Sequence, residues 1–126
     1  MSVSPSVGQL GTMVEINGTN LRGYGSAVSG VTLDGVAAQV ISETDTRVVV
    51  AAGASNASAM AGSVVVTGST GALAVEAASF QYLEMGVIAS VSPVSGQRGT
   101  YVTLVGTMML GNGTALSSAT LGGVEA

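Results

Sequence analysis

The side chains in this sequence that could do chemistry are few and mostly acidic. Seven carboxylates stand against three cations, Arg22, Arg47 and Arg98, giving a net charge of -4 in 126 residues. There is no histidine, cysteine or lysine. Without an imidazole, thiol or amine, most nucleophilic, general-base and Schiff-base mechanisms lose a member, and the many Ser and Thr hydroxyls have no base to activate them. Cys/His zinc sites and disulfides are excluded for the same reason. Carboxylate chemistry remains, and Glu43 with Asp45 is the nearest pair able to serve as acid and base in glycoside hydrolysis. Two residues apart on an extended strand, they share a face. Two solvated side chains do the same, and that is the role assigned to them. Asp34 could be a calcium ligand, but no carboxylates cluster around it in sequence, so Asp34-Gly35 is assigned to a turn. Gly8, Gly11, Gly18, Gly23 and Gly25 resemble a phosphate-cradling loop only in glycine content, because neither a lysine nor a helical pattern follows. Met13, Met60, Met85, Met108 and Met109 are read as gap fillers in a core poor in aromatics rather than as a soft-metal site. No catalytic, cofactor-binding or metal-ligating residue is assigned, and the expectation is a protein that is not an enzyme and takes no cofactor.

Charge limits the partners as well. Three scattered arginines cannot form the basic stripe that a phosphate backbone requires, so nucleic acid is not expected. Asn17-Gly18-Thr19, Asn56-Ala57-Ser58 and Asn112-Gly113-Thr114 fit the N-glycosylation acceptor pattern, which takes in three of the four asparagines. Asn56, in a loop of small residues, is better placed as an acceptor than Asn17, which falls in a strand. Sites in use would place the chain in a lumenal or extracellular compartment. The opening MSVSPSVGQLG has neither a basic nor an apolar signal region. The uncharged stretch between Arg47 and Glu76 exceeds the roughly 20 residues of a membrane span. Its two short valine runs, separated by Gly, Ser, Asn and Thr, suit two buried strands instead. Any membrane attachment is therefore expected through an anchor outside these residues.

The elements that must position these groups are organised by a repeat. Displacing the chain by 88 positions lays Ser2–Ala38 on Ser90–Ala126 without a gap, with 20 of 37 positions identical. SVSP recurs at Ser2 and Ser90, GQ at Gly8 and Gly96, and GT at Gly11 and Gly99. This spacing predicts a complete domain over 1–83, a linker over 84–86 and the first part of a second domain over 87–126. Both ends read as cut from a longer tandem array. Within the first copy, Val14 and Ile16 alternate with Glu15 and Asn17, as in a half-buried strand. Asp34-Gly35 suits a two-residue hairpin turn because both residues tolerate positive φ, and Gly122-Gly123 holds the same place in the second copy. Strands are predicted at Ser2–Ser4, Thr12–Thr19, Val31–Leu33, Val36–Ser42, Thr46–Ala51, Ser63–Thr67 and Ala72–Tyr82. About seven short strands with frequent turn signals predict an all-β, antiparallel sandwich.

These residues resemble the IPT/TIG domain, an immunoglobulin-like module found in plexins and certain transcription factors. The resemblance lies in Val3-Ser4-Pro5 followed by Gly8 and Gly11-Thr12, in Val14 to Leu21, and in the Leu33 to Ala38 hairpin. It continues through Asp45 to Val50 and the closing Phe80-Gln81-Tyr82. It covers the chain once in full and once truncated. One departure is that the family usually carries an aromatic near Leu21, where this chain has Leu21 and, in the second copy, Met109. The resemblance implies an immunoglobulin-like sandwich without a shared catalytic set, standing in rows in extracellular receptors. By that implication the protein is secreted or at the cell surface, and it serves as spacer and interaction unit. Its partners would be a protein or glycan ligand and neighbouring IPT/TIG repeats of the same chain. An alternative is an accessory domain of a secreted polysaccharide-acting enzyme; a Rel-type dimerisation domain fits the charge poorly. The partial copy has only about three strands, so Val102, Leu104 and Leu121 are expected to lack a covering sheet, leaving it partly disordered or dimerised.

Overall fold

The structure is a computed structural model describing residues 1–111 and 115–126. It divides into two compact units, Met1–Glu84 and Met85–Ala126. All described elements are strands, as runs of Val, Ile and Thr separated by Gly and Ser demand. Unit 1 contains β1 (Ser2–Ser4), β2 (Val7–Gly8), β3 (Met13–Asn17), β4 (Val28–Leu33), β5 (Val36–Glu43), β6 (Arg47–Ala51), β7 (Gly62–Gly68) and β8 (Leu73–Tyr82). Their hydrogen-bonded order is β1-β3-β6-β5-β4-β7-β8-β2.

This one continuous order folds into two layers because β5 serves both. Val36–Ala38 pair with β4, and Gln39–Glu43 pair with β6. The register shifts between Val40 and Ser42, which leaves Ile41 as an extra residue and bends the strand from one layer to the other. One layer is then β1-β3-β6 with the second half of β5. The other is the first half of β5 with β4, β7, β8 and β2. The result is the all-β sandwich expected from the strand pattern, of the immunoglobulin-like kind that the resemblance implies.

Valines and isoleucines at alternate positions meet between the layers. Val14 faces Val50 and Ile16 faces Val48 across β3 and β6. Val31 faces Val66 and Leu33 faces Val64 across β4 and β7. These eight are buried, along with Leu21, Phe80 and Tyr82. The Phe80 and Tyr82 rings meet edge to face, with centroids 5.3 Å apart and planes at 83°. Leu21, at the position of the usual family aromatic, is part of this core.

Five strands differ from the expected bounds by one or two residues at an end, and two assignments differ by more. β4 begins at Val28, three residues earlier than expected: Ser29 and Gly30 interrupt its apolar pattern, and the pairing with β7 continues across a register shift between Val28 and Gly30. β2 was not anticipated. Its two residues run parallel to the end of β8, with Val7 opposite Gln81 and Gly8 opposite Tyr82. A two-residue strand has no periodicity to read, and only tertiary pairing defines it.

Unit 2 holds β9 (Val87–Ser92), β10 (Thr103–Thr107), β11 (Thr120–Leu121) and β12 (Val124–Glu125). β9 pairs with β10 and β11 with β12, both antiparallel. Val102, Leu104 and Leu121 occupy the repeat positions of Val14, Ile16 and Leu33, which are completely buried in unit 1. In unit 2 they line an open groove of about 1010 Å³ instead.

Candidate binding surface

At one end of unit 1, three connections converge: the β3–β4 loop over 18–27, the β5–β6 turn over 44–46 and the β7–β8 turn over 69–72. Arg22 fastens the first to the second. Its Nε and Nη2 donate to the two carboxylate oxygens of Glu43 at 2.8 and 3.1 Å, and Nη2 also reaches the Glu43 carbonyl at 3.3 Å. The Arg22 amide donates to Asp45 Oδ1 at 3.1 Å, and the Val28 amide donates to Glu43 Oε2 at 3.1 Å. The guanidinium, and secondarily the Val28 amide, hold the Glu43 carboxyl below its ordinary value of 4.5. Sequence alone makes Glu43 and Asp45 two solvated neighbours. The structure brings both to Arg22, where they hold loops in place. Arg22, whose partners lie more than twenty residues away, carried no sequence signal for this role.

The β3–β4 loop is also tied to the β7–β8 turn. Thr70 Oγ1 donates to the Gly23 carbonyl at 3.0 Å, the Ser26 amide donates to Ser69 Oγ at 3.1 Å, and the Ser69 amide donates to the Ala27 carbonyl at 2.9 Å. Across β3 and β6, Arg47 Nη2 bonds Glu15 Oε2 at 2.7 Å, and Asn17 Nδ2 donates to Glu15 Oε1 at 2.8 Å. Arg47 first, and Asn17 after it, lower the Glu15 carboxyl below 4.5.

Asp34 and Gly35 have φ of 52° and 79° and join Leu33 to its partner Val36 in a two-residue hairpin. Gly122 and Gly123, at 58° and 83°, do the same between Leu121 and Val124. Asp34 has a further contact that the turn assignment did not foresee. Its Oδ2 accepts a 2.6 Å bond from Ser58 Oγ. Ser58 is the hydroxyl residue of the Asn56 acceptor pattern. The same Oγ accepts from the Tyr82 amide at 3.0 Å, the Ser58 amide donates to the Tyr82 carbonyl at 3.0 Å, and Gln81 Nε2 donates to the Ser58 carbonyl at 3.1 Å. The long β6–β7 connection is thereby bolted to both the β4–β5 turn and the end of β8. Asn56 itself is exposed, while Asn17 is half-buried and bonded to Glu15. Asn112 lies outside the described residues.

Beside this network the buried Tyr82 hydroxyl makes no hydrogen bond. Burial holds its phenol above the ordinary value of 10. The Gly53 backbone pulls the other way but falls outside hydrogen-bond geometry, and the Asp34 charge adds to the rise. Among the described residues, no three His, Cys, Asp or Glu side chains gather as metal ligands, and no helix is long and apolar enough to cross a membrane.

The repeated GQ and GT dipeptides are a turn. The Gln9 amide donates to Thr12 Oγ1 and the Gln97 amide to Thr100 Oγ1, each at 3.0 Å, while Gly11 and Gly99 share a φ of 87°. What the repeat preserves here is backbone geometry.

The IPT/TIG domain model matches residues 1–82. No curated protein matches the chain. Among solved structures, the chain is similar to the crystal structure of an auxiliary nutrient binding protein from Bacteroides ovatus ATCC 8483, with 28% identity and a TM-score of 0.52. The match covers 70% of this chain and 21% of that one, so the chain spans about a fifth of that protein's length.

Proposed function

The chain belongs to the IPT/TIG domain family, and from that membership we propose that it is a non-catalytic, immunoglobulin-like module of a secreted or cell-surface protein. It spaces its neighbours and presents a contact surface to a protein or glycan ligand. The observation that carries this reading is the commitment of Glu43 and Asp45 to Arg22, which converts the nearest pair of carboxylates into a clamp on the loops at one end of the sandwich. Rigid strands presenting tied-down loops are the usual arrangement for recognition on immunoglobulin-like scaffolds. The likeness to a nutrient binding protein supports a role in capture rather than turnover.

The location is tested with an antibody against unit 1 applied to intact and permeabilised source cells. Staining of intact cells is expected, and staining that requires permeabilisation refutes a surface role. The absence of catalysis is tested by incubating the full chain with soluble polysaccharides and measuring new reducing ends, of which none are expected.

A further inference from the structure

Unit 1 holds three aromatic side chains, and they are divided. Phe80 and Tyr82 are sealed in the core, whereas Tyr24 is 91% exposed. An aromatic ring left in water forgoes one of the largest apolar burials available to a side chain. Its backbone is unusual too. Tyr24 has φ of 62°, in the left-handed region that bulky residues seldom occupy. Such a conformation persists only where the surroundings impose it.

Here they do. The Gly23 amide donates to the Asn20 carbonyl and the Gly25 amide to the Arg22 carbonyl, each at 2.9 Å. The bonds of Gly23 and Ser26 to the β7–β8 turn fix the chain on both sides of the tyrosine, and Arg22 fixes it to Glu43 and Asp45. Backbones approach so closely that a Cβ at Gly68 would lie 2.7 Å from the Arg22 carbonyl carbon. The ring therefore projects from a rigid seat and loses little freedom when something covers it.

The surroundings also select the ligand. Thr19, Asn20, Ser26, Ser69 and Thr70 are the exposed polar groups of the β3–β4 loop and the β7–β8 turn, and all are uncharged. Of the nearby ions, Arg22 pairs with Glu43 and Arg47 with Glu15, while Asp45, half-buried, accepts from the Arg22 amide. The one charge left over is negative and already engaged by a backbone amide, so nothing at this end favours an anionic partner. A standard protein interface covers about 800 Å² per partner and uses several buried anchors. One ring among small neutral side chains offers much less. It matches a sugar ring, whose apolar C–H face lies on an aromatic plane while its hydroxyl rim meets amide and hydroxyl groups. We propose that Tyr24 is the stacking platform of a neutral-glycan site rimmed by Asn20, Ser69 and Thr70. This rests on the binding-module reading and names its ligand class. In the sequence repeat Asn112 corresponds to Tyr24, so the aromatic is particular to the first copy.

Affinity electrophoresis tests it, with the full chain run through native gels containing xyloglucan, galactomannan, arabinoxylan or soluble starch, and polygalacturonate as the anionic control. Retardation is expected in at least one neutral gel and not in polygalacturonate. Tyr24→Ala raises the apparent Kd by about tenfold or more, and Tyr24→Phe stays within about threefold, since stacking needs the ring and not its hydroxyl. An unchanged urea midpoint for both variants separates lost contact from lost fold. Absence of retardation in every neutral gel, retardation undiminished in Tyr24→Ala, or retardation by polygalacturonate alone overturns the proposal. Release of reducing sugar in the same samples overturns the non-catalytic reading instead, so the two failures are distinct.

Discussion

Removing one oxygen atom at Ser58 should cost unit 1 more than any change at the neighbouring Asn56. Ser58 Oγ serves two partners at once, donating to Asp34 at 2.6 Å and accepting from the Tyr82 amide at 3.0 Å. Tyr82 is fully buried, so its amide in Ser58→Ala has neither the hydroxyl nor bulk water to bond. A buried donor left without a partner costs about 1–3 kcal/mol. For a domain of this size each kcal/mol lowers Tm by about 4–8 °C. Asn56 is exposed and its side chain holds nothing together, so Asn56→Gln should stay within about 0.5 kcal/mol of wild type. Both substitutions abolish the glycosylation acceptor pattern, and only one touches the network. Chain made in bacteria, unfolded in urea and followed by far-ultraviolet circular dichroism, gives the two values free of glycan. Ser58→Thr keeps the hydroxyl and should recover most of the loss. The Ser58→Ala/Asp34→Ala double mutant should lose less than the sum of the two single losses, because they share one bond. Equal stabilities for Ser58→Ala and Asn56→Gln, or strict additivity in the cycle, would refute the assignment of Ser58 as the bolt between the β4–β5 turn and β8.

Four further outcomes follow from the same geometry. Phe80→Ala empties the edge-to-face contact with Tyr82 and should destabilise unit 1 by about 3–5 kcal/mol, a large share of a typical domain's stability; a urea midpoint close to wild type would contradict its place in the core. Acidification should weaken the fold: Glu15 and Glu43 have folded values below 4.5, so their stabilisation is complete above that unfolded value and disappears as pH falls through the folded ones. Urea midpoints measured from pH 7 to pH 2 should show this loss, with a shallower fall in Arg22→Gln; identical profiles for wild type and variant would count against the clamp. Gly35→Val forces a β-branched residue to φ of 79° and should cost about 1–3 kcal/mol by calorimetry, whereas Gly30→Ala, which meets open space at ordinary φ, should cost under about 1 kcal/mol. Amides of β9 to β12 should exchange with deuterium sooner than those of β3, β6 and β7, because Leu104 and Leu121 line an open groove while Ile16 and Leu33 are sealed; equal protection in a monomer would refute that contrast.

The amino-acid sequence determined that β3, β6 and β7 are strands, because the alternation of Val14 and Ile16 with Glu15 and Asn17 and the valine runs at 48–50 and 64–66 are local properties of the chain; which valines of each run face the core was decided by the fold. It also determined the hairpin turn at Asp34-Gly35, where the φ values required are ones these residue types tolerate, and the family, whose small-residue turn signals recur in order. Tertiary structure decided the rest. Nothing in the order of residues states that β5 divides between two layers, that Val7–Gly8 pairs beside β8, or that Arg22 gathers Glu43 and Asp45. Each depends on segments distant in the chain arriving at one place. Ser58 shows the division within one residue. Its position two after Asn56 marked it as part of an acceptor pattern, a reading that needs only sequence. Its hydroxyl is held by Asp34 and Tyr82, 24 residues away on either side, and only the closed sandwich brings those partners to it.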